Sequence, residues 1–263
     1  MTDVLSSDVL ERTLPPGFGR PFRFFDEVGS TNTEALEWAR QGAPEGALVV
    51  TNHQSQGRGR WTRTWVSDPG RLLQFSLILR PKLPLDQLGL VTTALGVACA
   101  EAIESATGLT ATVKWPNDVR VGGRKVAGIL VESHLTGSEL EAAVGGLGVN
   151  VGWSRTEIPD DLKETATSLA TELDGTPPAR AELLAAILTA FERRYSKLPE
   201  AAPALIAAVT ERSDVLGHHV VVALSNDTVV EGRANRILDD GRLEVETATG
   251  PTALAVGEIR RLR

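Results

Sequence analysis

The sequence predicts an α/β fold in which helices cover a sheet, followed by a small separate β domain. Strand and helix patterns alternate between residues 22 and 212, and about fifty residues of closely spaced short strands follow. A chain of 263 residues with 42% apolar content can bury a core of this size. We therefore expect an N-terminal tail (1–20), a large α/β domain (21–212) and a small SH3-like barrel (213–263).

In the first half of the large domain, strand and helix signals follow one another closely. A strand is predicted over 22–25. The residues Thr31-Asn32-Thr33-Glu34 have the form of a capping box and introduce a short helix that ends at Gly42. Strands over 46–51 and 72–79 come next. From 85 to 107, apolar residues recur every three or four positions, which is typical of a long helix against a sheet.

The second half contains a predicted hairpin, and the C-terminal domain consists of strands alone. Strands are predicted over 110–115, 119–121, 125–132 and 141–151, with Gly122-Gly123 as the turn between the second and the third. Helices over 179–198 and 203–212 complete the large domain. The barrel is predicted from strands over 219–224, 228–237, 242–247 and 251–256, with turns at 225–227, 239–241 and 249–250.

Composition excludes several classes of protein. The net charge of −7 argues against nucleic acid as the main partner. No run approaches the roughly 20 apolar residues that span a bilayer, and residues 1–7 do not resemble a signal peptide, so we expect a cytoplasmic protein without a membrane partner. The single cysteine excludes an internal disulfide, and the four histidines lack metal-ligand spacing. Hydrolase, P-loop and Rossmann motifs are absent.

Residues 57–65 (GRGRWTRTW) are strongly basic within this acidic chain. Glycines let the backbone approach an anion closely, and arginine guanidinium groups match phosphate and carboxylate oxygens two at a time. The segment therefore suggests a loop that handles phosphate. A nucleic-acid contact or a solvated loop would have a similar composition, so the segment alone leaves these alternatives open.

A second segment, residues 114–130, contains two of the chain's five lysines. The chain otherwise prefers arginine, with 22 arginines in total. Lys114 opens KWPND at the end of a predicted strand, and Lys125 follows eleven residues later. A compact ammonium can reach a single oxygen atom where a planar guanidinium is too broad, which indicates an anionic atom as the target. A surface hairpin with solvated charges remains the alternative.

Taken together, these segments resemble the biotin protein ligase (biotin--acetyl-CoA-carboxylase ligase) family. The resemblance rests on blocks that occur in that family's order and approximate spacing between residues 28 and 150. They are VGSTN at 28–32, Gln54 with GRGR at 57–60 and Trp65, KWPND at 114–118, KVAGILVE at 125–132 and GLGVN at 146–150. Each block alone is weak, and their combination is specific.

The resemblance implies a fold and a reaction. The fold is a mixed sheet covered by helices, of the class II aminoacyl-tRNA-synthetase-like type, with a C-terminal barrel. Biotin and MgATP would give biotinyl-5'-AMP and pyrophosphate, and a lysine of a biotin carboxyl carrier protein or domain would then accept the biotinyl group. Attack of a carboxylate on a phosphate brings two anions together, so the site needs positive charge and N–H donors rather than a protein nucleophile.

By position, the resemblance also assigns site residues. Lys125 is expected to bind the biotin carboxylate and α-phosphate oxygens, and Arg60 to hold the phosphates, so these two are the expected catalytic residues. The biotin and biotinyl-adenylate site is expected to contain Ser30, Thr31, Asn32, Gln54, Arg58, Gly59, Arg60 and Lys125. Further nucleotide or magnesium contacts are expected from Gly57, Trp65, Asn117, Asp118, Gly128 and Asn150, while the ligands of Mg²⁺ stay unassigned.

Two of these assignments leave alternatives, and one position departs from the family. Trp65 either packs on the adenine or anchors the loop, and Asn117 and Asp118 either orient phosphate, magnesium or the incoming lysine or simply form a turn. The family loop commonly continues with Arg-Gly, whereas this chain has Trp61 and Thr62. A charge is lost there, and so is a glycine's access to positive φ, which affects loop dynamics and adenylate retention.

Two other functions compete with this interpretation. A lipoate-type ligase shares the fold, but its Arg-Arg-x-x-Gly-Gly-Gly block followed by His-Asp is absent. A non-catalytic biotin-binding or nucleic-acid-binding protein is the other alternative. Few residues precede position 22, whereas a separate domain needs roughly 50, so we expect a form without an N-terminal DNA-binding domain and without specific DNA binding. The oligomeric state is left as monomer or homodimer.

Overall fold

The computed structural model describes residues 3–137, 139–225 and 228–262. The first two residues of the expected tail and two of the three residues of the expected turn at 225–227 lie outside the described residues. The helices are α1 (Ser7–Thr13), α2 (Thr31–Arg40), α3 (Gly89–Thr107), α4 (Leu169–Leu173), α5 (Arg180–Tyr195) and α6 (Ala202–Arg212). Short 3-10 turns occupy Arg60–Thr62, Leu85–Gln87 and Asp160–Leu162.

A mixed sheet forms the centre of the large domain. Its strands are β1 (Phe22–Val28), β2 (Leu48–Gln54), β3 (Leu72–Leu79), β4 (Ala111–Lys114), β5 (Asp118–Val121), β6 (Arg124–Thr136) and β7 (Glu139–Asn150). They lie in the order β1-β2-β3-β7-β6-β5-β4. Within this described sheet, β1 and β2 run parallel and the other neighbours pair antiparallel. The expected mixed sheet is therefore confirmed.

Both faces of this sheet are covered by helices. Alternate residues of a strand point to opposite faces. In β3, Phe75 and Leu77 belong to the main core, in which α3 and α5 also pack. Ile78 belongs to a second core cluster with Ala35 and Ala39 of α2. Gln74 and Ser76 are at alternate positions with Ile78 and therefore lie on the α2 face of the sheet. This face carries the site.

The long predicted helix is the central core helix. It begins at Gly89 rather than at residue 85, because residues 85–87 form a separate 3-10 turn. The segment Leu85–Thr107 is long and apolar enough to cross a membrane, but 67% of its most apolar window is buried inside the protein. Gly108 ends the helix with a φ of 72°, which a glycine adopts without steric cost.

The expected N-terminal tail is wrong, because this segment contains a packed helix. Ser6 caps α1 by accepting a hydrogen bond from the backbone N–H of Val9 at 3.4 Å. Leu5, Leu10 and Leu14 are buried in the main core, and α1 contacts α5. A seven-residue helix spans only two turns, so its periodicity is too short to be recognised from sequence.

The expected capping box at Thr31 is also wrong. The N-cap of α2 is Ser30, with a φ of −155°, and its side chain makes no capping hydrogen bond. The Thr31 hydroxyl instead lies 3.1 Å from Gln54 Oε1 and 2.7 Å from the Ser76 hydroxyl. Tertiary hydrogen bonds have thus replaced the local one, which turns the start of α2 towards the sheet.

The C-terminal domain is a second antiparallel sheet, as expected for the small β domain. Its strands are β8 (His219–Ala223), β9 (Val229–Ile237), β10 (Leu243–Thr247), β11 (Gly250–Leu254) and β12 (Glu258–Leu262), in the order β11-β10-β9-β8-β12. The pattern analysis missed β12, which is short and rich in charged residues, and α4, which has only five residues. The antiparallel pairing of β12 with β8 places Glu258 and Ile259 beside the large domain.

Candidate active site

A cavity of about 560 Å³ lies on the α2 face of the sheet. It is bounded by the start of α2, the basic segment 57–65, the glycine-rich middle of β6 and β7, the segment 161–166 and the start of β12. Every predicted site residue except Gly57 lines it, namely Ser30, Thr31, Asn32, Gln54, Arg58, Gly59, Arg60, Trp65, Asn117, Asp118, Lys125, Gly128 and Asn150.

The start of α2 forms one polar end of the cavity. The backbone N–H and the hydroxyl of Thr31 both donate to Gln54 Oε1, at 2.8 and 3.1 Å. Ser30, Thr31 and Asn32 are buried. A buried polar group is stable when it is hydrogen-bonded, and these bonds hold Thr31 and Gln54 in one arrangement.

Asn32 is held from three sides and is packed against a glycine. Its Nδ2 donates to Leu130 O at 3.2 Å and to Glu132 Oε2 at 2.7 Å, and its Oδ1 accepts from the Ser76 hydroxyl at 2.5 Å. A Cβ on Gly146 would lie 2.1 Å from Asn32 Oδ1. Only glycine therefore fits at position 146, which explains one glycine of the GLGVN block.

The basic segment is closed by its own backbone and held by side chains. The Trp65 backbone N–H donates to Gly57 O at 2.9 Å, and a Cβ on Gly57 would lie 2.5 Å from Trp65 O. Gly57 thus shapes the loop without lining the cavity. Arg58 pairs with Glu132 at 3.0 Å and donates to the Thr33 hydroxyl at 3.2 Å.

Arg60 reaches across to the C-terminal sheet. Its guanidinium donates to Asn117 Oδ1 at 3.3 Å and to Gly257 O at 2.9 Å. Burial lowers the pKa of Arg60, although Asp118 and Glu258 nearby oppose this shift. A half-buried cation attracts an incoming anion more strongly than an exposed one, because a lower dielectric strengthens the attraction.

The positive φ of this loop lies at Trp61, where the φ is 54°, and not at the position of the family glycine. The Arg60 guanidinium lies 5.1 Å from the centroid of the Trp61 ring. A non-glycine residue at positive φ is strained by about 1 kcal/mol or more. The chain thus forms a left-handed turn in the loop without a glycine at residue 62.

Lys125 and Asp118 form an ion pair inside the cavity. The Lys125 ammonium lies 2.7 Å from Asp118 Oδ1 and 5.4 Å from the centroid of the Trp65 ring. The backbone of Lys125 is fixed on both sides, since its N–H donates to Thr165 O and its carbonyl accepts from the Thr167 N–H, each at 2.8 Å. The ammonium is consequently held at a defined place.

Trp65 packs over two glycines that face each other across β6 and β7. Gly128 pairs with Gly148, and a Cβ at either position would lie within 2.9 Å of the indole ring. The Trp65 indole N–H and Asn150 Oδ1 are buried and have no hydrogen-bond partner among the described residues. Two such groups at one cavity are an observation that favours a polar ligand, because unpaired buried polar atoms are destabilising.

The C-terminal sheet contributes residues that sequence reasoning missed. The Lys114 ammonium donates to Ile259 O at 3.0 Å, and burial lowers the pKa of Lys114. Arg63 donates both Nη1 and Nη2 to the Glu258 carboxylate, with Nη2 lying 2.6 Å from Oε2. This bidentate ion pair raises the pKa of Arg63. No local pattern could have shown these contacts, because their partners are far apart in the chain.

Behind the cavity, β3 contributes two buried polar residues that were also missed. Gln74 and Ser76 are 1% and 0% exposed, within a strand that is otherwise apolar. Polar residues at alternate positions of the apolar run LLQFSLIL were a readable signal, because a buried polar residue must have a specific partner.

The charge of the cavity is opposite to that of the whole chain. Among the residues that the structure describes, six basic ones line it (Arg58, Arg60, Arg63, Lys114, Arg120 and Lys125), against three acidic ones (Asp118, Asp161 and Glu258). The chain as a whole carries −7. In the part of the chain that the structure describes, no three His, Cys, Asp or Glu residues are grouped as metal ligands. The site is therefore built for anions.

Comparison with known proteins first gives the class. Residues 24–150 match the Biotin/lipoate A/B protein ligase family. The chain is 36% identical over 233 residues to the bifunctional ligase/repressor BirA of Bacillus spizizenii, covering 88% of this chain and 71% of the relative. It is 32% identical over 259 residues to the biotin--[acetyl-CoA-carboxylase] ligase of Mycobacterium tuberculosis, covering 94% of this chain and 92% of the relative.

Solved structures agree with these relatives. The biotin protein ligase of Aquifex aeolicus, solved in complex with biotin and ATP, superposes with a TM-score of 0.78 at 30% identity, over 93% of this chain and 99% of that chain. This chain belongs to the biotin protein ligase family and is an enzyme of the biotin--[acetyl-CoA-carboxylase] ligase type.

Proposed function

We propose that this enzyme forms biotinyl-5'-AMP from biotin and ATP and then transfers the biotinyl group to a lysine of a biotin carboxyl carrier domain. In the first step, a biotin carboxylate oxygen attacks the α-phosphorus and pyrophosphate leaves. In the second, the lysine amine attacks the acyl carbon and AMP leaves. The observation that carries the proposal is the convergence of Lys125, Arg60 and the polar start of α2 on one basic cavity.

A covalent enzyme intermediate is not part of this proposal. The only cysteine, Cys99, is fully buried in the core, and burial raises the pKa of its thiol to about 12. The reaction instead needs positive charge on the attacked phosphate and fixed donors around it. Lys125 supplies that charge at the carboxylate and α-phosphate, and Arg60 supplies it at the phosphates.

The two ends of biotin have matching surroundings. Ser30, Thr31, Asn32 and Gln54 would hold the ureido head, which offers one carbonyl and two N–H groups. Asn32 lies over Gly146, whereas Lys125 and Trp65 lie over Gly128, which pairs with Gly148. The polar head and the carboxylate therefore have separate places along one pair of strands, as a ligand with an apolar chain between them requires.

The remaining residues complete the nucleotide half of the site. Arg58 and Gly59 would line the adenylate, with Gly57 shaping the loop. Trp65 would anchor the loop over Gly128 and Gly148 and donate its unpaired indole N–H to a ligand oxygen. Asn150 Oδ1, which is also unpaired, would accept a hydrogen bond from a ligand donor. Asn117 would position Arg60, to which it is hydrogen-bonded.

Magnesium would enter with ATP. Mg²⁺ in phosphoryl-transfer sites keeps several waters and takes one or two carboxylates besides the phosphates. Asp118 is a carboxylate that lines the cavity, as do the amide side chains of Asn117 and Asn150. These residues fit a magnesium ion that ATP mainly holds, and the ion would neutralise phosphate charge when bound.

The proposed protein partner is the carrier domain of a biotin-dependent carboxylase, in the cytoplasm. A monomer or a homodimer would both present the cavity. We do not propose specific DNA as a partner, because a net charge of −7 opposes contact with the phosphate backbone.

The test is to separate the two steps. Biotin should drive exchange of labelled pyrophosphate into ATP without an acceptor, and addition of a carrier domain should then give biotin on its lysine. Lipoate in place of biotin should support neither step. Isolation of a biotinyl ester or thioester on the enzyme would contradict the scheme, and efficient use of lipoate would favour the lipoate-type alternative.

A further inference from the structure

A series of hydrogen-bonded side chains, in which Gln74 is buried and the others are half-buried, leads from Gln54 away from the cavity. We propose that Gln74, Ser67 and His53 are positioning residues that hold the Gln54 side-chain amide in the direction that Thr31 sets. They would thereby keep Gln54 Nε2 in place for the ligand. The inference rests on the proposed role of Gln54 at the biotin head. Gln54 lines the cavity, whereas these three are not among its lining residues in the described part of the chain.

The direction of the Gln54 amide is determined by Thr31. The Thr31 backbone N–H lies 2.8 Å from the Gln54 amide atom assigned as Oε1, and a backbone N–H can only donate. The atom facing Thr31 must therefore be the oxygen. Gln54 Nε2 then faces Gln74, whose Oε1 accepts its hydrogen bond at 2.9 Å. The amide of Gln74 is oriented in turn.

The same logic continues through Ser67 to His53. Gln74 Nε2 donates to the Ser67 hydroxyl oxygen at 2.8 Å, and the Gln54 backbone N–H donates to the same oxygen at 2.9 Å. Two donors use both lone pairs of that oxygen, so the Ser67 hydrogen is left for His53 Nδ1, which lies 3.1 Å away. In its neutral form, His53 must then carry its proton on Nε2.

A single direction of donation therefore runs through the chain of side chains. If the Gln54 amide were flipped while Gln74 kept its direction, the Gln54 NH₂ group would face the Thr31 N–H, and the Gln54 oxygen would face Gln74 Oε1. Both contacts would then be unpaired at a site where Gln74 is 1% exposed. In the observed direction, Gln54 Nε2 uses one hydrogen to donate to Gln74. Its other hydrogen is not used within this series of side chains and is available to a ligand carbonyl such as that of the ureido group.

The experiment is a double-mutant cycle on biotin binding. Gln74→Met keeps length and volume but removes the acceptor, and we expect about tenfold weaker biotin binding by calorimetry with an unchanged KM for ATP. Gln54→Ala should weaken biotin binding as well. In the Gln54→Ala background, Gln74→Met should add less than about twofold, because its target is gone. The exposed Gln41→Met is the matched control.

The outcomes separate the inference from the proposed function. If Gln54→Ala weakens biotin binding but Gln74→Met does not, or if the two effects are additive, the positioning role is wrong and the role of Gln54 stands. If Gln54→Ala has no effect, both fail. Nitrogen-15 NMR of labelled histidine gives a second readout that does not depend on binding. It should show His53 protonated on Nε2 in the parent protein, and this preference should be lost in Ser67→Ala. Protonation on Nδ1 in the parent would show that the inferred direction of hydrogen-bond donation is wrong.

Discussion

At the scale of single residues, Lys125 has the most exacting position. Its ammonium is held between Asp118 and the face of Trp65 in a cavity that must bring two anions together. We expect Lys125→Ala to lower the rate of adenylate formation by about a hundredfold or more, since loss of one preorganised charge costs about 3 kcal/mol. The variant also leaves the Asp118 carboxylate without its cation, so that this carboxylate repels the anionic substrates. Biotin-dependent pyrophosphate exchange measures the loss.

Lys114→Ala is the matched control for this prediction. Lys114 also lines the cavity, but its ammonium donates to the carbonyl of Ile259 in the C-terminal sheet. We expect a clearly smaller loss of adenylate formation from this variant. Near-normal exchange by Lys125→Ala, or an equal loss in both variants, would show that the key lysine is misplaced.

Arg60 is expected to retain the adenylate more than to form it. It is a half-buried cation in the basic loop and bonds to both Asn117 and Gly257. In Arg60→Gly, biotinyl-5'-AMP should still form but leave the site faster, because the phosphate loses a charged partner and the loop excludes water less well. Released adenylate acylates lysines indiscriminately. Streptavidin blotting of an unrelated lysine-rich protein, with the off-rate of the intermediate, measures this leak.

Arg155→Gly, at an exposed turn residue that does not line the cavity, is the control for the Arg60 variant. It should label bystander proteins no more than the parent enzyme does. If Arg60→Gly makes adenylate with an unchanged off-rate and no bystander labelling, then Trp61, Trp65 or another part of the loop retains the intermediate.

At the scale of elements, helix α1 shows that the N-terminal segment is part of the core. Leu10 is fully buried against the main core. We expect Leu10→Ala to lower the free energy of unfolding by about 3 kcal/mol, through lost apolar burial and the cavity left behind. Urea unfolding measures the change. Val4→Ala, at a residue that is 59% exposed, should change it by less than about 0.5 kcal/mol. Equal effects would mean that α1 is not packed in solution.

At the scale of the whole molecule, the start of β12 covers one side of the site. Glu258 pairs with Arg63 of the basic loop and lines the cavity. The pair is largely exposed on the Arg63 side, so its contribution to stability is small, below about 1 kcal/mol. We expect Glu258→Gln to leave the unfolding free energy nearly unchanged, but to release the adenylate about two- to fivefold faster, because the loop loses its tie to the C-terminal sheet.

Glu244→Gln is the control for Glu258→Gln. Glu244 also pairs with an exposed arginine, Arg236, within the same sheet, but it does not line the cavity. Its variant should release the adenylate at the parent rate. An identical off-rate in both variants would show that the C-terminal sheet does not help to retain the intermediate.

Most of the elements could be predicted, and the predicted site residues other than Gly57 line one cavity, because these signals are local. β3, α3 and the hairpin of β5 and β6 follow from apolar periodicity and turn glycines. Lys125, Arg60 and Gln54 lie in short motifs that are weak one by one and specific in combination. α1, α4 and β12 could not be predicted, since each is too short for a period to show. The cap of α2 was misplaced because Thr31 bonds to Gln54 and Ser76 instead.

The sequence by itself determined which residue types are present and how they are spaced within each segment. Only the tertiary structure decided which segments meet, because contact across a long separation depends on the path of the chain and not on local preference. Arg60 meets Gly257 across 197 positions, and Lys114 meets Ile259 across 145. The direction of donation from Gln54 to His53 belongs to the same class, since it follows from which donor faces which acceptor once β2, β3 and the loop after β2 are packed together.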